Sequence, residues 1–295
     1  MIDEKLKTEI EQLRRESISW YQDWNFEGEE VWIPGRDCPI RCRIYRPEYP
    51  VSGRMPVFFD VHGGGWAVHK CEADQPFCLK VANQLGIMVV SVDYRLAPEY
   101  QFPVPTNDVL DVISYVYKNA ELYHIDPLRM GVGGHSAGGQ ISVSAALYAK
   151  EMNLFPLRCM VLDYPGVSGS SFDKEIEMQG KLTEYQKEFL TMSDVFQRCQ
   201  FVPEEYRTDY HCYPIYATRE QLRGLPPAIV TACEDDLLRF QDIEFAKMLM
   251  EAGVETTFRL FEGVVHGFTA DLYYTPEAEE GHQMMIEGLE KYLLR

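Results

Sequence analysis

One stretch constrains this chain more than any other: Gly133-Gly134-His135-Ser136-Ala137-Gly138-Gly139. A short apolar run, Met130-Gly131-Val132, leads into it, and an apolar run of helical period, Ile141 to Leu147, leads out. A strand, a glycine-flanked serine and a helix place Ser136 at the apex of a sharp, strained turn. The residues two before and two after the serine then come close together, and Gly134 and Gly138 carry no Cβ to clash. The following helix aims its N-terminal amides and positive dipole end at the serine, which favours negative charge developing there. An ordinary glycine turn or a phosphate-binding loop could share these seven residues, so the rest of the chain has to decide.

The rest of the chain alternates strands with helices. Residues 1–25 place Leu6, Ile10, Leu13, Ile18 and Tyr21 at spacings near three to four, an amphipathic helix. Val31-Trp32-Ile33 and Ile40 to Tyr45 read as strands around the turn cluster Pro34-Gly35-Arg36-Asp37. Met55 to His62, Ile87 to Val92, Cys159 to Tyr164, Pro226 to Cys233 and Thr256 to Phe261 read as further strands, several of them apolar enough to be buried on both faces. Helical patterns lie between them, from Ala73 to a stop at Gly86, around Val109 to Val116, around Phe245 to Ala252, and from Pro276 to Leu294. Asp126-Pro127 looks like a helix N-cap with proline at the first helical position. Residues 168–223 change character, being polar, aromatic and acidic without a strand signal; two short helical patterns, Thr183 to Thr191 and Ser193 to Gln200, suggest a helical lid. The expected architecture is α/β, a mostly parallel sheet flanked by helices with a helical cap. Its parts are an N-terminal cap segment at 1–30, a core at 31–167 and 224–295, and a cap insertion at 168–223.

Composition narrows the partners. A formal net charge of −18 over 295 residues makes nucleic acid and anionic membrane surfaces poor partners. The N-terminus is charged and periodic, with no apolar signal region, and no run approaches the length of a membrane span. The eight cysteines never form Cys-x-x-Cys and read as reduced, mostly buried thiols in a cytoplasmic protein. Cys38 and Cys42 could pair across one strand entrance, but the reduced, intracellular reading is preferred. No histidine–carboxylate spacing suggests a metal site, and neither metal nor cofactor is expected.

Every reactive candidate falls just after an expected strand, where open α/β sheets place their ligands. His62-Gly63-Gly64-Gly65-Trp66 lets backbone N–H groups approach a ligand closely, one half of an oxyanion hole, with Ala137 N–H the other. Ser136, Asp235 and His266 follow in that order. Ser136 would attack, His266 would take and return its proton, and Asp235 would hold the imidazole. Asp236 is the rival acid. His62 is expected to fix its loop, and Trp66 either lines a pocket or belongs to the core. His135 should point away from the serine, yet it is kept with Trp66 and His211 as a tentative substrate-binding residue.

Together, His62-Gly63-Gly64-Gly65-Trp66, Asp93-Tyr94-Arg95-Leu96-Ala97-Pro98-Glu99, Gly134-His135-Ser136-Ala137-Gly138-Gly139 and His266-Gly267-Phe268 resemble the hormone-sensitive-lipase-like, bacterial family IV esterases. The resemblance runs from about residue 40 to the end, weakest over the lid. It implies the α/β-hydrolase fold and cofactor-free hydrolysis of short- to medium-chain acyl esters. It also implies Ser136 as nucleophile, His266 as base, and Gly64, Gly65 and Ala137 as oxyanion hole; a homodimer through an edge strand is common in that family. This chain departs from the family pattern at His135, where Asp is usual, and at Asp235-Asp236-Leu237, where Asp-Pro-Leu is usual. The first departure is similar to arylformamidase-like hydrolases and carbohydrate acetylesterases.

The expected activity is therefore that of a serine carboxylesterase acting on small acyl esters through an acyl-enzyme. Arylformamidase-like or carbohydrate acetylesterase chemistry is the alternative. Tyr206, Tyr210, Tyr213 and Tyr216 could stack on a sugar or pack within the lid. A non-catalytic ligand-binding homologue, as in plant gibberellin receptors, is a minor alternative, disfavoured by the intact His266. Activity should rise from acidic pH to a plateau above neutrality, because His266 must be neutral to act as base.

Overall fold

The apolar runs become the strands of one sheet. The computed structural model describes residues 4–169, 172–200, 202, 206–270 and 275–295, so parts of the two segments expected to form a cap (1–3, 170–171, 201 and 203–205) lie outside the described residues. The strands are β1 (Glu29–Pro34), β2 (Pro39–Tyr45), β3 (Met55–Val61), β4 (Met88–Val92), β5 (Ile125–His135), β6 (Cys159–Asp163), β7 (Ala228–Cys233) and β8 (Thr256–Phe261). They form a single eight-stranded sheet in the order β1-β2-β4-β3-β5-β6-β7-β8. β1 and β2 form an antiparallel hairpin, β2 joins β4 antiparallel, and β4 through β8 run parallel.

Alternation along the buried strands feeds two cores. The helices are α1 (Glu4–Ser19), α2 (Gln75–Leu85), α3 (Val104–Lys118), the single turn α4 (Ala120–Tyr123), α5 (Ala137–Met152), α6 (Asp173–Gln179), α7 (Glu184–Gln200), the single turn α8 (Arg219–Leu222), α9 (Arg239–Glu251) and α10 (Pro276–Leu293). Val57, Phe59 and Val61 of β3 pack with Val109 and Ile113 of α3, Leu147 of α5 and Phe245 of α9. Phe58 points the other way, to Phe77 and Val81 of α2 and Met285 and Leu289 of α10. Each such side chain contributes about 1.5–3 kcal/mol by leaving water. The sheet is therefore covered on both faces, which is why its strands read as near-continuous apolar runs.

Two local expectations need correction, and one holds. Asp126-Pro127 opens no helix. It lies within β5, where the Asp126 carboxylate accepts the Leu128 N–H at 3.0 Å and pairs with Arg129. The β3–β5 register shifts there, from Met55 opposite Ile125 to Val57 opposite Met130. An aspartate that satisfies the backbone two residues on favours such a kink as readily as a helix start. The two short lid patterns are one continuous helix, α7. Cys38 and Cys42 are unbridged, and all eight cysteines are free thiols.

Helices α1 and α7 meet beside the triple-glycine loop. Leu6 and Ile10 of α1 pack with Val195, Phe196 and Cys199 of α7 and with Ala67 and Val68 beyond the triple glycine. Arg14 pins α1 below by donating to the carbonyls of Ala67 and Ala97, each at 2.8 Å, and by pairing with Glu99.

Candidate active site

The turn between β5 and α5 is as strained as its sequence implies. Ser136 has φ 53° and ψ −119°, outside the regions L-residues prefer. The glycines beside it answer mainly to one shared obstacle rather than to each other. A Cβ on Gly134 would lie 1.9 Å, and one on Gly138 1.8 Å, from the Val61 carbonyl oxygen of β3. The tight packing of β3 against the turn is what excludes side chains at both positions.

Ser136 Oγ stands 2.9 Å from His266 Nε2, and His266 Nδ1 stands 2.6 Å from Asp236 Oδ2. The acid is therefore Asp236, not Asp235. β7 ends at Cys233, and Glu234 and Asp235 form a turn held to the β8 side: their N–H groups donate to Phe261 O at 2.9 Å and Val264 O at 3.0 Å, and the Glu234 carboxylate accepts from Gly263 N–H. The chain re-enters the interior only at Asp236, which is 1 % exposed and whose second oxygen accepts the Leu238 N–H at 2.9 Å ahead of α9. A signal was present in the sequence: the Asp-x-Leu spacing is met twice, by 235–237 and by 236–238.

His266 is positioned on every side. Its ring lies 4.8 Å from that of Tyr164 and 5.0 Å from that of Phe189, and its carbonyl accepts the Tyr185 hydroxyl at 2.9 Å. Tyr185 and Phe189 belong to α7, so that helix holds His266 by both its ring and its backbone.

The triple-glycine loop lies beside the serine. A Cβ on Gly63 would lie 3.1 Å from the His135 carbonyl oxygen. Gly64 and Gly65 have φ of 106° and 55°, conformations that favour glycine. Ala137 opens α5, where the first N–H groups have no partner within the helix and are free for an anion. His62 does fix its loop: it is fully buried, stacked on Tyr94 at 4.2 Å, and its carbonyl accepts the Tyr94 hydroxyl. Trp66 donates its indole N–H to Gln140 at 2.7 Å and lines a small, open pocket with Ala97, Phe102, Ile141 and Gln200.

Two tentative substrate contacts are not brought to the site. His135 is buried on the opposite side of β5 from Ser136, its Nδ1 2.7 Å from Asp163 and its ring against Phe77. Alternation along the strand turns the residue before the serine away from it. His211 is stacked on Tyr148 at 4.1 Å, and its ring nitrogens meet Glu151 at 2.8 Å and Asp209 at 3.2 Å. Tyr148 and Glu151 lie three to four turns along α5 from the serine, roughly 18–22 Å at 1.5 Å per residue. His211 tethers its own segment to α5. The tyrosines nearby serve the same packing, with Tyr213 bonded to Gln200 and Tyr206 edge-on to Phe102.

With this geometry in hand, comparison with known proteins decides the family. The profile of a family described as having the alpha/beta hydrolase fold matches residues 58–270. The chain belongs to that family. Within this hydrolase family its motifs are those of the hormone-sensitive-lipase-like branch. It is 30 % identical over 262 residues to an ethyl acetate hydrolase of Pseudomonas putida, covering 88 % of this chain and 80 % of that protein. It is 31 % identical over 263 residues to the carboxylesterase NlhH of Mycobacterium tuberculosis, covering 87 % and 79 %. Among solved structures, an esterase of Pyrobaculum calidifontis superposes with a TM-score of 0.82 at 30 % identity, over 99 % of this chain and 94 % of the other. A bacterial heroin esterase superposes with a TM-score of 0.85 at 29 % identity, over 98 % and 92 %.

Proposed function

We propose that this hydrolase is a serine carboxylesterase that cleaves short-chain acyl esters through an acyl-enzyme. The observation that carries the reading is the unbroken relay from Ser136 Oγ through His266 to Asp236, at 2.9 and 2.6 Å. Ser136 Oγ attacks the ester carbonyl while His266 Nε2 takes its proton. Asp236 keeps the Nδ1 proton facing it and stabilises the imidazolium. The N–H groups of Gly64, Gly65 and Ala137 receive the oxyanion. His266 then protonates the departing alcohol, and a water activated by the same base releases the acid. The segments 1–30 and 168–223 act as the cap. The names of the relatives, esterases for small esters among them, support this substrate class.

The formamidase alternative rests on the Gly134-to-Gly139 motif alone, since His135 is turned away from the reacting centre and gives it no added contact. The non-catalytic reading is disfavoured by the complete relay. Initial rates on p-nitrophenyl esters from acetate to palmitate test the proposal. The expected result is a maximum at acetate or butyrate, reduced at least about 1,000-fold in Ser136→Ala. Unchanged hydrolysis by pure Ser136→Ala would overturn it, as would faster turnover of N-formylkynurenine than of any ester.

A further inference from the structure

Behind the elbow, on the side of β5 that faces α2, lies a buried polar cluster that the relay does not use. Asp60 of β3, Asp74 in the turn entering α2, and His135 at the end of β5 are 0, 5 and 3 % exposed. Each offers a ligating atom, and these atoms all lie within 4.8 Å of one another. His135 Nδ1 is committed to Asp163 at 2.7 Å, which leaves Nε2 facing Asp74 Oδ1 at 3.9 Å. That gap is too long for a hydrogen bond. It is near the separation of ~3.4 Å between two ligands that hold one cation at bond lengths of ~2.0–2.2 Å.

Two observations point to an occupant. Asp60 Oδ1 and Asp74 Oδ2 are buried carboxylate oxygens without a hydrogen-bond partner. Native interiors rarely leave such atoms unpaired. Acidic groups also outnumber their partners here: Asp60, Asp74 and Asp163 all meet the one imidazole of His135. His282, the neighbouring imidazole, has its Nε2 spent on the Thr269 carbonyl. The orienting shell is complete, since Asp163 holds His135 Nδ1 and itself accepts from Thr231 and Thr269. A carboxylate on the far nitrogen of an imidazole is the usual support of a metal-binding histidine.

We infer that Asp60, Asp74 and His135 Nε2 form a site for one divalent transition-metal cation, of the zinc or manganese kind, that ties β3, the entrance of α2 and β5 together behind the nucleophile turn. Two carboxylate oxygens and one imidazole nitrogen are the donor set such ions accept. The side chain of His135 points away from Ser136, so the ion is structural and takes no part in ester cleavage.

The test is metal content and thermal stability of the full chain. Protein unfolded, refolded with zinc or manganese and dialysed should retain about one equivalent by mass spectrometry and melt above a chelator-refolded sample. Asp60→Asn and Asp74→Asn should fall below about a tenth of an equivalent, and Cys38→Ser, which alters the least buried thiol, should keep the full one. Cobalt should give a visible absorption band in the wild type that Asp74→Asn lacks. Folded wild type that holds neither metal and melts alike with metal or chelator would overturn the site. A folded Asp74→Asn that keeps its full equivalent would overturn the location. If both aspartate variants fail to fold, the wild-type content and melting comparison still decides.

Discussion

At the scale of single residues, the choice between Asp235 and Asp236 shows how one position divides two roles. The Asp235 N–H secures the turn to Val264, while the Asp236 carboxylate grips both His266 and the start of α9. Asp236→Asn presents an amide where His266 needs an acceptor, so kcat on p-nitrophenyl acetate is expected to fall about 1,000- to 10,000-fold with little change in KM. Asp235→Asn is expected to stay within about threefold of wild type, since its side chain lies outside the relay. Equal losses from the two would contradict the division.

At the scale of elements, α7 does more than cover the site. Tyr185 and Phe189 brace His266, and Phe196 presses its ring on Gly65, close enough that a Cβ there would lie 2.2 Å from the ring. Positions 189, 192 and 196 share one helix face, whose Phe189 and Phe196 meet His266 and Gly65 and so form a roof on the His266 and triple-glycine side. Phe196→Ala should open that roof. The expected result is a rise of about tenfold in the octanoate-to-acetate ratio of kcat/KM, because each further methylene finds apolar cover worth ~0.8 kcal/mol. An unchanged ratio would show that chain length is limited elsewhere.

At the scale of the whole molecule, an excess of acidic groups is managed by a few buried arginine pairs. Arg41 and Arg43 of β2 converge on Glu72, which is 2 % exposed in the turn ahead of α2. Burial opposes the Glu72 charge, but these arginines more than offset it and bring the carboxyl from 4.5 down to about 2. A depressed folded-state value means stability that is present above 4.5 and lost as pH falls through about 2. The contribution at neutral pH is on the order of 3 kcal/mol. Urea unfolding should therefore show Glu72→Gln clearly weaker than wild type at neutral pH, with the gap shrinking below about pH 4. A gap independent of pH would mean that Glu72 acts by packing alone.

Local pattern was enough for much of this protein. The elbow, the triple-glycine loop and the apolar runs each carry their cause within a few residues: a strained apex, a close backbone approach, a strand buried on two faces. Hence the α/β architecture and the meeting of Ser136 with His266 were legible from sequence. The identity of the acid was not, because Asp235 and Asp236 meet the same spacing and only the bonds of their turn to β8 and Val264 select which one enters the interior. The fate of Asp126-Pro127 depended on β3 lying alongside, and the roles of His135 and His211 on Asp163 and Glu151, partners far away in the chain. The meeting of Asp60, Asp74 and His135 has no sequence spacing to announce it. Sequence determines what a segment can do with its own neighbours; which distant carboxylate an imidazole meets is decided only when β3, β5, β6 and α2 are packed.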